Sequence, residues 1–164
     1  NDAIYTARIF SNMDFDSVSI YESIDTYRIP SSRKEEIYMN FKTYEKYISK
    51  GFKTRDKAAE DRIARSCSCY ICKSPMKRRI KWFATSSKTY YSVFVCDEHG
   101  LFKGRMKVKQ SDDGQYYDVR ILKHTDEAGV NKIIDKQKKE REHRRRKRME
   151  EHKRKVEARN SCNK

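Results

Sequence analysis

A chain of 164 residues that is 38% charged and only 36% hydrophobic has material for one modest core with extensions, not for several independent cores. Its 39 Lys and Arg against 24 Asp and Glu leave a net charge of +15, which points to DNA, RNA, an acidic protein or an anionic surface as company. No apolar run approaches the ~20 residues needed to cross a bilayer, so membrane insertion is not expected. Five cysteines, three of them crowded into 67–72, fit metal and free thiols in a reducing compartment (cytoplasm or nucleus) better than a secreted disulfide framework.

In chain order, residues 1–30 alternate short apolar and polar groups (Ile4, Tyr5, Ile9, Phe10, then Ile20, Tyr21, Ile24, Tyr27, Ile29) and are expected to form short strands and turns. Ser32 followed by Glu35 has the form of a capping box. It would open a helix whose Ile37, Phe41, Tyr44 and Ile48 make one apolar stripe, ending at Gly51. Thr54 is expected to cap a second helix running through Ala58, Ala59, Ile63 and Ala64.

From Lys77 the period changes to two. Ile80, Trp82 and Ala84 alternate with Arg79, Lys81 and Phe83, and after a polar turn at 86–88 Tyr91, Val93 and Val95 alternate with Tyr90, Ser92 and Phe94. A second hairpin sets Met106 and Val108 between Arg105, Lys107 and Lys109, turns at Asp113-Gly114, and returns through Tyr117, Val119 and Ile121. The expected architecture is α+β: an N-terminal mixed or helical segment (1–66), a small zinc-ribbon-like antiparallel sheet (67–124), and a long basic C-terminal helix (125–164).

Two short loops bracket the first hairpin: Cys69-x2-Cys72 and Cys96-x2-His99. Each spacing lets two donors converge on one ion, and three thiolates with one imidazole complete the closed tetrahedral set of a structural Zn2+ site. Cys67 and His124 are alternative donors. The arrangement resembles a zinc-ribbon or zinc-knuckle module over residues 67–100, which is a shape and not a function.

Catalytic use of the metal fits poorly. Zinc deaminases place Pro-Cys-x-x-Cys after their Cys- or His-x-Glu, but here Cys69 and Cys72 precede Cys96-Asp97-Glu98, and His99 would take the water's position. Residues 73–95 contain no His, Asp or Glu to serve a nuclease. No phosphate loop, H-E-x-x-H or Ser/His/Asp set is present. A metal-dependent enzyme acting on nucleic acid is therefore the least favoured function.

The tail is dominated by charge. Residues 136–155 hold 12 cations, among them Lys138, Lys139, Arg141 and the consecutive Arg144, Arg145, Arg146, Lys147 and Arg148, against four acids. Glu140/Arg144, Glu142/Arg146, Glu150/Arg154 and Glu151/Lys155 are spaced for helical i,i+4 pairing. The expected nucleic-acid contacts are this run together with Arg79, Lys81, Arg105, Lys107, Lys109 and Arg120 on the hairpins.

The function expected from these residues is non-catalytic, zinc-containing binding of DNA or structured RNA, dominated by phosphate contacts, as in transcription regulation or genome or ribosome association. The competing expectation is an adaptor that lays its basic helix on an acidic surface of a large protein or ribonucleoprotein machine, such as RNA polymerase or the ribosome. The Lys-, Tyr- and Ile-rich, Pro-poor composition resembles accessory proteins of large DNA viruses and phages, which would place the chain in a host cell.

Overall fold

Alternation, not helical spacing, organises Ile37 to Ile48 and Lys77 to His124. A computed structural model describes residues 2–12 and 29–162. In order they form α1 (Asp2–Ser11), a 3-10 turn (Arg33–Glu35), β1 (Ile37–Asn40), β2 (Tyr44–Ile48), α2 (Arg55–Ala59), α3 (Arg62–Arg65), β3 (Lys77–Ala84), β4 (Thr89–Cys96), β5 (Gly100–Gln110), β6 (Tyr116–His124) and α4 (Glu127–Cys162). The six strands make one antiparallel sheet in the order β1-β2-β6-β5-β4-β3, and α4 is the long C-terminal helix of this α+β fold.

The two hairpins expected from period two are present. Thr85 and Thr89 close the first turn, with Thr85 N–H donating to Thr89 O at 2.8 Å. Gly114 takes φ +76° in the second, a left-handed conformation that suits glycine. β3 departs from simple alternation. Its register against β4 slips between Arg78 and Ile80 and again between Ile80 and Phe83, so Ile80 and Trp82 lie on opposite faces instead of sharing one. As an edge strand, β3 can accommodate bulges that a central strand could not.

The expected helix after Ser32 is absent. Glu35 does reach back, accepting from Ser31 N–H at 3.0 Å and Ser32 O–H at 3.0 Å, but it closes only a single 3-10 turn. The chain then runs as β1 and β2, whose partners are distant. Glu45, Tyr47 and Ile48 face Leu122, Arg120 and Val119 of β6. The sheet thus draws on residues 37–48 as well as on 67–124.

Ile4, Tyr5 and Ile9, expected in strands, lie on one side of helix α1 instead, exposed by 57–66%. Hydrogen bonds from Ser11 and Asn12 side chains to Arg8 O close that helix. The expected strand residues Ile20, Tyr21, Ile24 and Tyr27 lie outside the described residues. Thr54 caps α2 as expected, accepting from Lys57 N–H, but Asp61 interposes a second cap that accepts from Ala64 N–H at 3.0 Å. The expected single helix is therefore two.

The two sheet faces bury different things. One face, here the inner face, carries Tyr47, Met106, Phe94, Phe102, Leu122 and Arg120 beneath α2, α3 and the loop that follows them. Gly104 admits Trp82 there, since a Cβ would meet the Trp82 ring at 2.8 Å. The opposite, outer face packs Val93 and Tyr91 against Val130 and Ile133 of α4 at one end, and Met39, Ile48 and Tyr117 together at the other. Among the described residues no helix is long and apolar enough to cross a membrane.

Candidate metal centre and the charged surfaces

The chain reaches the first Cys-x2-Cys loop directly from α3, whose last carbonyls are all engaged. Arg120 Nη1 donates to Ile63 O and Ala64 O at 3.1 Å each and also to Ser66 O, and Trp82 Nε1 donates to Arg65 O at 2.9 Å. Short helices leave such carbonyls without intrahelical partners, so these side chains complete the cap from across the sheet. The loop itself folds back through Lys73 N–H to Cys69 O at 2.8 Å and Cys69 N–H to Ser74 O at 2.9 Å, with Lys73 in the left-handed region at φ +62°.

The second loop is the β4–β5 hairpin turn. Cys96 pairs with Gly100, leaving Asp97, Glu98 and His99 as a three-residue connection, and Gly100 at φ +74° supplies the left-handed residue such turns use. Lys77 and Asp97 bridge the two loops at 3.1 Å.

Together the loops bring Cys69, Cys72, Cys96 and His99 into one cluster, with every pair of donor atoms within 4.8 Å. Cys72 Sγ lies 3.6 Å from Cys96 Sγ, and His99 Nδ1 lies 3.7 Å from Cys69 Sγ and 3.8 Å from Cys96 Sγ. A tetrahedron with arms of about 2.3 Å has edges of about 3.8 Å, so these separations fit four donors around one centre. They are far too long for a disulfide, whose S–S distance is about 2.05 Å. The cluster could hold a metal ion such as zinc, with the soft thiolates of three cysteines and one imidazole as donors.

Desolvation pushes the Cys96 thiol up, but the His99 and Glu98 amides and the His99 ring more than offset it and bring it down to about 6, favouring the thiolate that a metal requires. Cys69 and Cys96 are buried in the same apolar cluster as Phe94, Phe102 and Leu122, so a metal here would be fastened to the main core.

Neither alternative donor belongs to the set. Cys67 is a core thiol pushed by burial up to about 11. His124 stacks edge-on against Phe102 and places Nε2 3.1 Å from His99 O, where it steadies the loop that carries His99.

The expected nucleic-acid residues separate into groups. Arg120 is corrected outright: it is 2% exposed, and it donates to Glu45 Oε1 at 2.9 Å besides the α3 carbonyls, so it serves the fold. Its neighbours Val119 and Ile121 suggested a polar outer position, but α2 and α3 cover the face it points to. Arg79 is exposed but engages Glu127 at 2.6 Å, tying β3 to α4. Lys81 is exposed. Arg105, Lys107 and Lys109 do share one face, joined by Lys103, all four exposed on the outer side of β5.

On α4, Glu140 and Arg144 do more than face each other. Ser86 N–H donates to Glu140 Oε1 at 2.6 Å, and Arg144 Nη2 donates to Ala84 O at 2.6 Å. The helix is thus held to the β3–β4 turn as far as Arg144. Lys138, Lys139, Arg141 and the run Arg145–Arg148 are exposed. Sequence reasoning missed Lys103, Lys123 and Lys132 and counted Lys136 only within the charge of the tail, although Lys103 continues the period-two series of β5 and Lys132, Lys136 and Lys139 are spaced 4 and 3 along the helix.

No known protein family, curated protein or solved structure matches the chain, so its reading rests on its own residues.

Proposed function

We propose that this is a non-catalytic nucleic-acid-binding protein in which a structural zinc ion, held by Cys69, Cys72, Cys96 and His99, fastens one end of the sheet while basic surfaces engage phosphates. All four donor positions are filled by side chains, which suits a structural role and leaves no place for a reacting water. The observation that carries the reading is the second half of α4. Beyond Arg144 the helix presents Arg145, Arg146, Lys147 and Arg148, all exposed and in unbroken succession. Consecutive positions point about 100° apart, so cations surround the axis, as a helix lying among phosphates on several sides requires. DNA or structured RNA fits equally, in transcription regulation or in genome or ribosome association.

The test is fluorescence anisotropy with duplex DNA and folded RNA over a range of salt, for the full chain and for a chain ending at Arg144. The truncation removes nine cations in all, Lys153, Arg154, Lys155, Arg159 and Lys164 besides Arg145–Arg148; loss of the four contiguous ones alone should lower the duplex salt slope by roughly 3 to 4, and the truncation should abolish most affinity. Unchanged duplex binding by the shortened chain would sink the helix's role. Ending the chain at Arg144 retains Glu140 and Arg144, which fasten α4 to the body.

A second reading, an adaptor on a large protein machine, is favoured by α1. Its Ile4, Tyr5 and Ile9 are exposed by more than half, and Tyr38 is 51% exposed. Exposed aliphatic and aromatic groups of this kind suit a protein interface. A stoichiometric partner that survives nuclease and high salt, and is lost in Ile4→Lys/Ile9→Lys, would favour it.

A further inference from the structure

α4 crosses the sheet over β4 and the start of β5, where Leu101 joins its apolar contacts. Val130 and Ile133 pack onto Val93, and the Lys136 ammonium sits 4.5 Å from the centre of the Tyr91 ring. Beside that contact the outer-face rows continue as Val93–Lys103–Lys123 and Tyr91–Arg105–Ile121. Between helix and strands lies a groove of about 750 Å³. Lys103, Arg105 and Lys123 rise from the sheet, and Lys132, Lys136 and Lys139 descend from the facing side of α4. Tyr91, Ile121 and Ile133 make the floor apolar.

Two features describe the charge of this groove. Its six cations face two carboxylates, Asp126 and Asp135, and Asp126 is already occupied as the cap of α4, accepting from Gly129 N–H at 2.8 Å. Arg33, Lys77, Arg79 and Arg120 each have an acidic partner, whereas the six groove cations, like Lys107 and Lys109 beside them, are in no ion pair among the described residues. Six cations on two opposed walls outnumber the two carboxylates between them, an excess that a bound anion would relieve.

We propose that the groove binds a short single-stranded stretch of nucleic acid, its phosphates on the two cationic walls and its sugars and bases against the apolar floor. The inference builds on the nucleic-acid reading above but assigns a different site and a different form of ligand from the projecting helix. A groove of this volume matches the roughly 300–1,000 Å³ of small-ligand pockets. A duplex, with bases turned inward and a major groove alone about 12 Å wide, could neither enter it nor reach its floor. Unpaired nucleotides carry both chemistries the groove offers, an anionic backbone and apolar base faces.

The experiment uses the full chain and a labelled oligothymidine of about ten nucleotides, followed by anisotropy across salt, beside a duplex of similar length. In Lys103→Gln/Arg105→Gln/Lys123→Gln, single-strand affinity should fall about 100-fold at about 0.1 M salt and its salt slope by about 2, at roughly 0.7 per lost phosphate contact. Duplex affinity, for which Arg145–Arg148 remain in place, should fall far less, by under about fivefold. Lys132→Gln/Lys139→Gln, on an exposed helix face, gives an independent second variant should the strand substitutions disturb folding, and single-strand binding should weaken there too.

Single-strand binding within twofold of the parent in a folded groove variant would overturn the proposal while leaving the helix reading intact. Displacement of the oligonucleotide by polyglutamate as effectively as by unlabelled oligothymidine would also overturn it, reassigning the groove to acidic peptide. If the parent chain binds neither single strands nor duplex at low salt, the nucleic-acid reading itself fails, and this inference with it.

Discussion

The inner and outer faces of one sheet treat polar chemistry in opposite ways. On the inner side Arg120 is sealed between Glu45 and the carbonyls of α3, its guanidinium 4.7 Å from the Tyr47 ring centre, and the cysteine cluster is embedded among Phe94, Phe102 and Leu122. On the outer side Lys103, Arg105, Lys107 and Lys109 occupy successive outward positions of β5 with no ion-pair partner among the described residues. The same side-chain type is structural where helices cover it and available where they do not. Composition alone, with its +15, cannot make that distinction.

The sharpest way to break the contrast is at the metal cluster. Cys96→Ser should lose bound zinc and with it the β3–β5 end of the sheet, because apparent zinc binding of about 10–16 kcal/mol rivals the whole stability of a domain. Metal content and far-ultraviolet circular dichroism would report it. A metal-free variant with the parent's spectrum would show that the inner face stands without its ion.

Next in size is Arg120→Met, which strands Glu45 in the interior and should cost about 3–5 kcal/mol in urea unfolding. Nucleic-acid affinity, measured where the variant remains folded, should not change. A variant of parental stability with weakened binding would place Arg120 on the binding side after all.

A smaller effect should come from Asp118, fully buried on the inner side, with neither carboxylate oxygen hydrogen-bonded among the described residues. Burial, reinforced by the charge of Asp61, pushes its carboxyl up to about 8. The folded state then holds a proton that the unfolded chain releases near pH 3.9. Its contribution to stability is therefore full below about pH 4 and is lost as pH climbs through about 8. Asp118→Asn should flatten that decline, by about 1–3 kcal/mol between pH 5 and 8 in thermal or urea unfolding. A parental pH profile in the variant would assign the decline to other groups.

What could be read in advance followed from short-range rules. The turns at 86–88 and 113–114, the alternation on β4 to β6 and the two ligand loops are all decided within a few residues of chain. β1 and β2 were not, because Ile37, Phe41, Tyr44 and Ile48 satisfy helical spacing as well as they satisfy strands. Pairing with β6, some seventy residues away, decides the outcome. Arg120 was misplaced for the same reason, since nothing local announces which face α2 and α3 will cover. The groove was half legible. Its sheet cations follow the period of β5, but the opposing lysines join them only because α4 docks across β4 and the start of β5.

That docking leaves α4 with two unlike halves. The portion to Arg144 is clamped by Val130, Ile133, Glu140 and Arg144, which sets the direction in which the remainder departs. Inserting one alanine just after Arg144 would turn everything beyond it, the Arg145–Arg148 run included, by about 100° and advance it by about 1.5 Å. A striped helix would lose its register under such a change. Here the contiguous cations present nearly the same aspect from every azimuth, so the protein has an aimed mast whose tip is indifferent to its own rotation.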